Sequence, residues 1–507
     1  MTSTNSQHRM NSGTERLVTQ SPITRIQASH VLAWDGADHV LLTDAEVVYQ
    51  GTQILFVGHA WQGAVDEEID AHGSLVLPGL IDLDALTDID HCLLDSWSEK
   101  GDFAWSASYA AHAKHVFDQE ERAVVREYAI AQLARHGVTT FMPIASEVHS
   151  EWAETAADFR DVAEITQRIG LRGYLGPSYR AGVNVVGDGG AEIYWDLVKG
   201  EDGFADAVAF LDYADSVDSD LVHGTLLPCR IETLTLELME ATARVAAERK
   251  VFVRLHCLQS PREEVLLREK YGIGVIDALE RSGLLDVDLL IPHGSELGDL
   301  RDPAVVAGPD VQRLVAAKVP IIHCPLTSAR YGGGLRSFEA YRAAGLTMVL
   351  GTDSFPPDLV RGIDVGVAIA KIIDRSLAAG RVENYIRAAT SDAADVLGRP
   401  DLGRLAVGCS ADLVIADLTD FATGVVEDPL RTLVVNGSGR DIVRTVVAGR
   451  TVMLDGDVVG SDLPELSRRA QELFNTMRLS YTERDREHRS AADLFPGTFA
   501  SVAVASA

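Results

Sequence analysis

VLPGLIDLDALTDIDH, residues 76–91, is the segment that decides the fold class of this chain. An apolar run, a Pro-Gly break and a second apolar run are followed by acids and a histidine: Asp82, Asp84, Asp88, Asp90 and His91. Acids and histidines just past the carboxyl end of a buried strand are typical of the catalytic edge of an α/β barrel. The segment therefore predicts both a barrel and the position of its site.

The segments that follow alternate between short apolar runs and amphipathic helical patterns. The apolar runs include 138–144, 171–178, 223–228, 251–257, 289–294, 319–325 and 347–353. Strands that alternate with helices favour a parallel sheet, and about eight such units in ~300 residues suit a (β/α)8 barrel. We therefore predict an α/β fold with a TIM-like barrel at 77–397.

Patterns of short β-strands flank this barrel region on both sides. Runs with Gly and Asp at the turns fill 23–76, and a similar pattern returns at 398–462. We predict that these two segments form one composite β-sandwich domain. Residues 1–22 are polar and are expected to be a disordered leader, and 463–507 are expected to form a C-terminal helix and tail.

Composition and charge exclude several functional classes. The formal net charge of −30 disfavours nucleic acid and anionic membranes as partners, because phosphate binding needs clustered basic residues. Apolar runs stay below the ~18 residues of a membrane-spanning helix, and the N-terminus has no signal-peptide pattern. Five scattered cysteines without CxxC spacing indicate a reducing compartment. We expect a cytoplasmic protein with a small-molecule substrate.

Polar residues end several of the predicted barrel strands. The candidates are Asp84, His256, Gln259, His293, His323 and Asp353. One histidine after an apolar run is usually structural, but three of them, together with carboxylates on other strands, favour a site. Histidine and carboxylate ligands from separate strands are what a divalent metal of the zinc or iron type requires.

Four further segments carry a family resemblance. They are HCPLTSARYGGGL (323–335), MVLGTDS (348–354), LGRLAVGCSADLVIADL (402–418) and RTVVAGRTVMLDG (444–456). Together with the PGLID entry they resemble the amidohydrolase superfamily, and within it the deaminases and chlorohydrolases of nucleobase- and triazine-like rings. The resemblance covers about 23–460. It implies a metal-dependent hydrolase that acts on a non-peptide carbon–nitrogen bond of a small N-heterocyclic substrate.

The resemblance also implies roles for individual residues. His256, Asp353, Asp84 and His293 are expected to hold one divalent metal, which is zinc, iron or manganese. Asp353 is expected to be the general base, and His293 to orient the attacking water. Substrate contacts are expected from Arg230 and His323. Trp105 follows the first strand and is expected, from its own chemistry, either to stack on a flat substrate ring or to pack in the core or an oligomer interface. The family commonly forms homo-oligomers, so we expect one here.

Three positions depart from the family pattern. The family's first strand ends in PGLIDxHxH, whereas this chain has Asp84 and Leu86 at the two histidine positions. A carboxylate substitutes for an imidazole ligand, but leucine cannot. The family's HxxE glutamate is Gln259, which keeps the hydrogen bonds of a carboxylate but cannot exchange protons near neutral pH.

These departures lead to one leading hypothesis and two alternatives. The leading hypothesis is a remodelled metal site, more negative than usual, with His293, His91 or Asp88 as a further ligand. One alternative is an enzyme without metal that uses the same pocket. The other is a non-catalytic descendant that binds a small molecule.

Overall fold

The computed structural model of the chain describes residues 21–89, 105–144, 150–297 and 308–499. The predicted leader lies almost entirely outside the described residues, as does His91. Within the described residues, the strands are β1 Ile23–Trp34, β2 His39–Gln50, β3 Gln53–Gly58, β4 Glu67–Pro78, β5 Leu80–Leu86, β6 Val138–Ile144, β7 Arg172–Leu175, β8 Ser178–Tyr179, β9 Gly182–Gly187, β10 Gly190–Trp195, β11 Val222–Gly224, β12 Leu227–Pro228, β13 Val253–Arg254, β14 Leu289–Pro292, β15 Ile321–His323, β16 Met348–Leu350, β17 Leu413–Asp417, β18 Ile442–Val447, β19 Arg450–Leu454 and β20 Asp457–Val458.

The α-helices of the same ranges are α1 Ala107–Ala111, α2 Gln119–Arg135, α3 Ala156–Ile169, α4 Leu197–Ser216, α5 Leu236–Arg249, α6 Pro261–Tyr271, α7 Val275–Arg281, α8 Pro309–Ala316, α9 Pro325–Arg330, α10 Phe338–Ala343, α11 Leu359–Asp374, α12 Val382–Ala388, α13 Ser391–Val396, α14 Pro429–Asn436, α15 Leu463–Arg484 and α16 Ala491–Leu494. Among these described helices, none combines the length and the apolar character needed to cross a membrane.

One eight-stranded sheet joins the two ends of the chain in the order β20-β19-β18-β17-β4-β1-β2-β3. Strand β4 pairs parallel with β1 and antiparallel with β17. The register places Leu77 opposite Val414 and Val76 opposite Ile415, and all four side chains are buried. Strands of 23–76 and of 398–462 therefore pair within one sheet. A two-layer sandwich stays a prediction.

Two four-stranded parallel ladders occupy the predicted barrel region, in the orders β5-β6-β7-β11 and β13-β14-β15-β16. Every residue of β6 (VTTFMPI) is buried, as expected for a parallel sheet covered on both faces. Backbone bonds cross both gaps between the ladders: Arg254 N donates to Leu226 O at 3.0 Å, and Asp353 N donates to Asp84 O at 2.8 Å. A fully closed eight-stranded barrel stays a prediction, because these seams are isolated bonds and bridges rather than ladders.

A buried ion pair ties the barrel region to the eight-stranded sheet. Arg172, the first residue of β7, has a fully buried side chain that donates to Asp412, just before β17. Asp412 is 1% exposed and also accepts from Ala448 N at 2.6 Å. Arg172 additionally donates to Asp220 O at 3.2 Å. The guanidinium therefore satisfies acceptors from both parts of the fold.

Replacing Arg172 with methionine is expected to lower the free energy of unfolding by roughly 3–5 kcal/mol, because Asp412 keeps a buried charge without its cation. Urea denaturation measures the change. The double variant with Asp412→Asn should regain much of the loss. Arg468→Met, at an exposed helical pair, is the control and should change stability little. An Arg172 variant as stable as the wild type would contradict the prediction.

Candidate functional site

Three buried side chains from separate strand ends meet in the interior. Asp84, His256 and His293 each contribute one ligand atom to a group whose atoms all lie within 4.8 Å of one another. Their residues are 0%, 8% and 2% exposed. Parallel strands present their carboxyl ends at one edge, which is why residues about 40 to 210 positions apart come together. The structure thus groups three of the four predicted metal ligands.

The fourth predicted ligand, Asp353, is held beside this group by contacts between β5 and β16. Asp82 accepts from Thr352 N at 3.0 Å and from Thr352 Oγ1 at 2.6 Å. Gly351 permits the close approach, since a Cβ there would lie 2.5 Å from Asp84 Cβ. These contacts fix the backbone from which Asp84 and Asp353 project.

Arg254 is a site residue that the sequence analysis missed. It is 2% exposed, and its Nη1 lies 3.0 Å from Asp84 Oδ1. Burial alone would raise the pKa of Asp84, but the charges of Arg254 and then His256 hold that pKa at about 2. Asp84 is therefore an anion at neutral pH. The alternation in VFVRLHC was the available signal, because it places residue 254 on the same strand face as His256.

His293 presents an unused nitrogen to the two carboxylates. Its Nε2 is buried, finds no hydrogen-bond partner within the described residues, and lies 3.6 Å from Asp353 Oδ2. Burial, and next the charge of His256, lower the pKa of His293 to about 3, so the ring is neutral. His293 and Asp353 both have left-handed backbones, with φ of 68° and 39°. Such strain in non-glycine residues is typical of functional sites.

This donor set fits a divalent cation. Four ligands about 2.1 Å from a tetrahedral ion lie roughly 3.4 Å from one another. Asp84 Oδ2 is 3.7 Å from His256 Nε2, and Asp353 Oδ2 is 3.6 Å from His293 Nε2. The two neutral imidazoles and two carboxylates thus have suitable chemistry. These two pairs are near the required spacing, whereas Asp353 lies beside the 4.8 Å group rather than within it. The unsatisfied Nε2 of His293 is the observation that most favours an ion here.

Gln259 and Arg230 lie together next to His256. Gln259 Oε1 accepts from Arg230 Nη2, and Arg230 Nε donates to Glu232 Oε1 at 3.1 Å. Residues 230 and 256 form a parallel backbone bridge. Glu263 caps the following helix and accepts from Gln259 N at 3.2 Å. Arg230 therefore fixes the amide of Gln259 beside the metal-ligand group.

Other predicted residues lie outside this group. His323 is 3% exposed, with its ring 5.7 Å from Phe338. Trp105 instead contacts Arg484 of the C-terminal helix. Asp88, which the sequence suggested as a further ligand, is buried and ion-paired with Arg126 at 3.0 Å. Arg126 therefore supplies the counter-charge of Asp88.

Acid stability should depend on His323. Burial lowers its pKa to about 3, so between about pH 6.5 and 3 the unfolded chain holds a proton at this residue that the folded chain lacks. This one group makes the free energy of unfolding fall as the pH decreases, by about 1.4 kcal/mol per pH unit. His323→Asn is expected to flatten that slope by the same amount. Denaturant titrations at several pH values measure it, and an unchanged slope would rule out the buried neutral ring.

The sequence of this chain is similar to those of known proteins. Residues 75–452 match the family model described as "Amidohydrolase family". The chain is 25% identical over 426 residues to a 5-methylthioadenosine/S-adenosylhomocysteine deaminase of Pyrococcus abyssi, covering 83% of this chain and 92% of the relative. It is 26% identical over 446 residues to an 8-oxoguanine deaminase of Pseudomonas aeruginosa, covering 86% and 94%.

A solved structure shows the same fold. An adenosine deaminase from Xanthomonas campestris with bound zinc superposes with a TM-score of 0.72 at 19% identity, over 90% of this chain and 98% of that chain. The family model spans most of the chain, from the end of β4 through both parallel ladders to β18 and the start of β19. The resemblance predicted from the motifs is therefore confirmed: this chain belongs to the amidohydrolase family and is a hydrolase of that type.

Proposed function

We propose that this hydrolase cleaves an exocyclic carbon–nitrogen bond of a small N-heterocyclic substrate, releasing ammonia or an amine. The observation that carries the proposal is the buried group of Asp84, His256 and His293 with Asp353 beside it. The relatives named above act, by their names, on adenosine derivatives and on 8-oxoguanine. A flat ring that carries an amino group is therefore the substrate class best supported.

We further propose that one divalent ion binds to Asp84, His256, His293 and Asp353. When bound, such an ion polarises a water molecule and lowers its pKa toward neutrality. The sequence alone suggested an unusually negative site that favours hard ions. Arg254 changes that expectation, because its charge cancels the charge that Asp84 adds. The net charge of the site then resembles that of a site with a neutral histidine at position 84. Such a site favours zinc or iron over manganese.

Asp353 is the residue proposed to move the proton. Its backbone is fixed by the bond to Asp84 O, and its carboxylate lies beside the neutral ring of His293. Asp353 accepts the proton of the attacking water. The same carboxylate then returns the proton to the leaving nitrogen.

Gln259 takes no part in this proton transfer, which we assign to Asp353 alone. An amide cannot exchange protons near neutral pH. In this structure Arg230 also donates a hydrogen bond to the amide oxygen of Gln259. The amide NH2 of Gln259 remains able to donate to a ring nitrogen of the substrate. We therefore assign Gln259 and Arg230 to substrate orientation rather than to acid–base chemistry.

Protein purified without chelator is expected to contain about one equivalent of zinc or iron by elemental analysis, since three donors lie within 4.8 Å of one another and Asp353 lies beside them. His293→Ala should reduce the metal content several-fold, because it removes the unsatisfied nitrogen. The control His323→Asn should keep the metal. Metal content near zero, with turnover unaffected by a chelator, would contradict the metal proposal.

Turnover that survives metal removal would instead favour the metal-independent alternative, and a protein without turnover on any amino-heterocycle would favour the binding role.

The domain boundaries and the assembly remain proposals. Support for one closed (β/α)8 barrel at 77–397 comes from the backbone bonds that cross both seams between the ladders. Support for one composite domain of 23–76 with 398–462 comes from the pairing of β4 with β17. A homo-oligomer is expected from the family resemblance, and light scattering tests it.

A further inference from the structure

Two buried glutamates bond to the pair formed by Arg230 and Gln259. Glu232, in the turn after β12, is 7% exposed, and Glu263, in the first turn of α6, is 1% exposed. Arg230 Nε donates to Glu232 Oε1 at 3.1 Å, and Gln259 N donates to Glu263 Oε1 at 3.2 Å. A buried carboxylate needs a counter-charge or hydrogen bonds to its oxygens. Arg230 carries one positive charge, so it compensates only one of the two glutamates.

One carboxylate oxygen of Glu232 has no donor. Its Oε1 accepts from Arg230 Nε at 3.1 Å and from Asn184 Nδ2 at 3.0 Å. Its Oε2 is buried and meets no hydrogen-bond partner among the residues that the structure describes. Leaving a buried acceptor unsatisfied is costly, because the oxygen has lost its bonds to water. Oε2 of Glu232 therefore calls for a proton donor.

Glu263 supplies such a donor when its carboxyl group is protonated. Burial, and next the charge of Glu232, raise the pKa of Glu263 to about 8, and the opposing charge of Arg230 does not cancel that rise. Oε1 alone satisfies the backbone, since Ser260 N and Gln259 N donate to it at 3.1 Å and 3.2 Å. Gln259 N also reaches Oε2 at 3.3 Å, which a hydroxyl oxygen accepts as well. Oε2 of Glu263 is therefore able to carry a proton at neutral pH.

The two carboxyl groups act on the same buried surroundings. Burial first, and then the charges of Glu263 and Glu232, raise the pKa of the Cys257 thiol, which stays neutral. Carboxylates that share a buried site repel each other, so they ionise one at a time and one of them keeps its proton. The charged neighbour that opposes this repulsion is Arg230, which lowers the pKa of Glu263. One proton for the pair leaves a single negative charge for one guanidinium.

We propose that Glu232 and Glu263 share one proton and are positioning residues for Arg230 and Gln259. Glu263 donates from its Oε2 to Oε2 of Glu232, and Arg230 balances the one remaining charge. Release of the proton leaves two carboxylates for one guanidinium, which disturbs the contact between Arg230 and Gln259. The effect on substrate rests on the function proposed above, whereas the shared proton does not.

The pH dependence of the Tm tests the shared proton without substrate. Between about pH 4.5 and 8 the folded chain holds a proton on Glu263 that the unfolded chain releases, so this group makes stability fall as the pH rises. Glu263→Gln removes the titration, yet its amide still accepts from the backbone and donates to Glu232. We expect the Tm of the variant, relative to the wild type, to rise by several degrees across that range. Asp82 also has a raised pKa, but it is the same in both proteins.

Glu232→Gln separates a carboxyl pair from a single buried glutamate. Loss of the Glu232 charge lowers the pKa of Glu263, so the fall in Tm should level off at a lower pH than in the wild type. Glu264→Gln is the matched control on the same helix, because Glu264 is 42% exposed and accepts from Arg268 Nε at 2.7 Å. The Tm of the control should follow the pH dependence of the wild type.

Turnover adds a readout that a purely structural pair would not change. Above about pH 8 the KM of the wild type should rise roughly threefold or more relative to that of Glu263→Gln, while the ratio of their kcat values stays nearly constant. Arg230 and Gln259 orient the substrate in the ground state and the transition state alike, so their displacement weakens binding rather than chemistry.

Three results overturn the shared proton. They are a parallel pH dependence of the Tm in Glu263→Gln and the wild type, an equal flattening in Glu264→Gln, and an unchanged levelling-off pH in Glu232→Gln. Equal KM values of Glu263→Gln and the wild type at every pH would overturn the positioning role. Absence of turnover on every amino-heterocycle would count against the proposed reaction, whereas the Tm comparison would still decide on the proton.

Discussion

Metal-free protein carrying Arg254→Met is expected to lose roughly 3–5 kcal/mol of unfolding free energy, the typical cost of removing one partner from a buried ion pair. Asp84 is 0% exposed, and Arg254 is the cation at 3.0 Å from its Oδ1. Methionine fills much of the volume of arginine but leaves the carboxylate charge uncompensated. Denaturant titration of chelator-treated protein measures the loss.

The pH dependence of the Arg254 variant separates this charge effect from a packing defect. In the wild type the pKa of Asp84 is about 2, below the unfolded value, so its stabilisation is present at neutral pH and is lost as the pH falls toward 2. Without Arg254, burial raises the pKa of Asp84, so acidification protonates the buried carboxylate and removes its uncompensated charge. The variant therefore gains stability relative to the wild type as the pH falls. A parallel pH dependence in both proteins would indicate packing alone.

A double variant and metal addition complete this test. Arg254→Met with Asp84→Asn should regain most of the lost stability, because a neutral pair replaces the ion pair. In the single variant, zinc should raise the Tm more than it does in the wild type, since Asp84 no longer has a competing cation. An additive loss in the double variant would show that Arg254 and Asp84 do not act as a pair.

The strand ends were predictable from the sequence because their signal is local. An apolar run followed by a polar residue marks a buried strand and its carboxyl end, and β6 matches the run predicted at 138–144. Once the fold is a parallel barrel, the carboxyl ends share one edge, so Asp84, His256, His293 and Asp353 were expected near one another. The predicted barrel topology, rather than a local pattern, brings these residues together although they are distant in sequence.

Charge compensation was not predictable in the same way. Strand alternation places Arg254 on the same face as His256, but no local pattern names its partner, which only the distance to Asp84 shows. Trp105 was predicted as a substrate contact from its position after the first strand. Its partner Arg484 lies about 380 residues later in a helix outside the family match, and such a contact leaves no local pattern.

Asp353→Asn is expected to reduce kcat by about 10²–10⁴-fold, the usual range for loss of a positioned general base. Asparagine keeps the size and hydrogen-bonding capacity of the residue but cannot accept the proton of the attacking water. The left-handed backbone at residue 353 should be tolerated, because asparagine adopts it readily. Activity is measured on the amino-substituted purine, pyrimidine or triazine that the wild type turns over fastest.

The division between kcat and KM decides which role Asp353 has. A base acts in the transition state, so kcat should fall while KM and thermal stability change little. Asp457→Asn, at an exposed position in β20, is the matched control and should keep full activity. A parallel loss of bound metal would make Asp353 chiefly a ligand, whereas full metal with wild-type kcat would exclude it as the base. Because Gln259 cannot exchange protons, retained activity would require a proton acceptor other than Asp353 and Gln259.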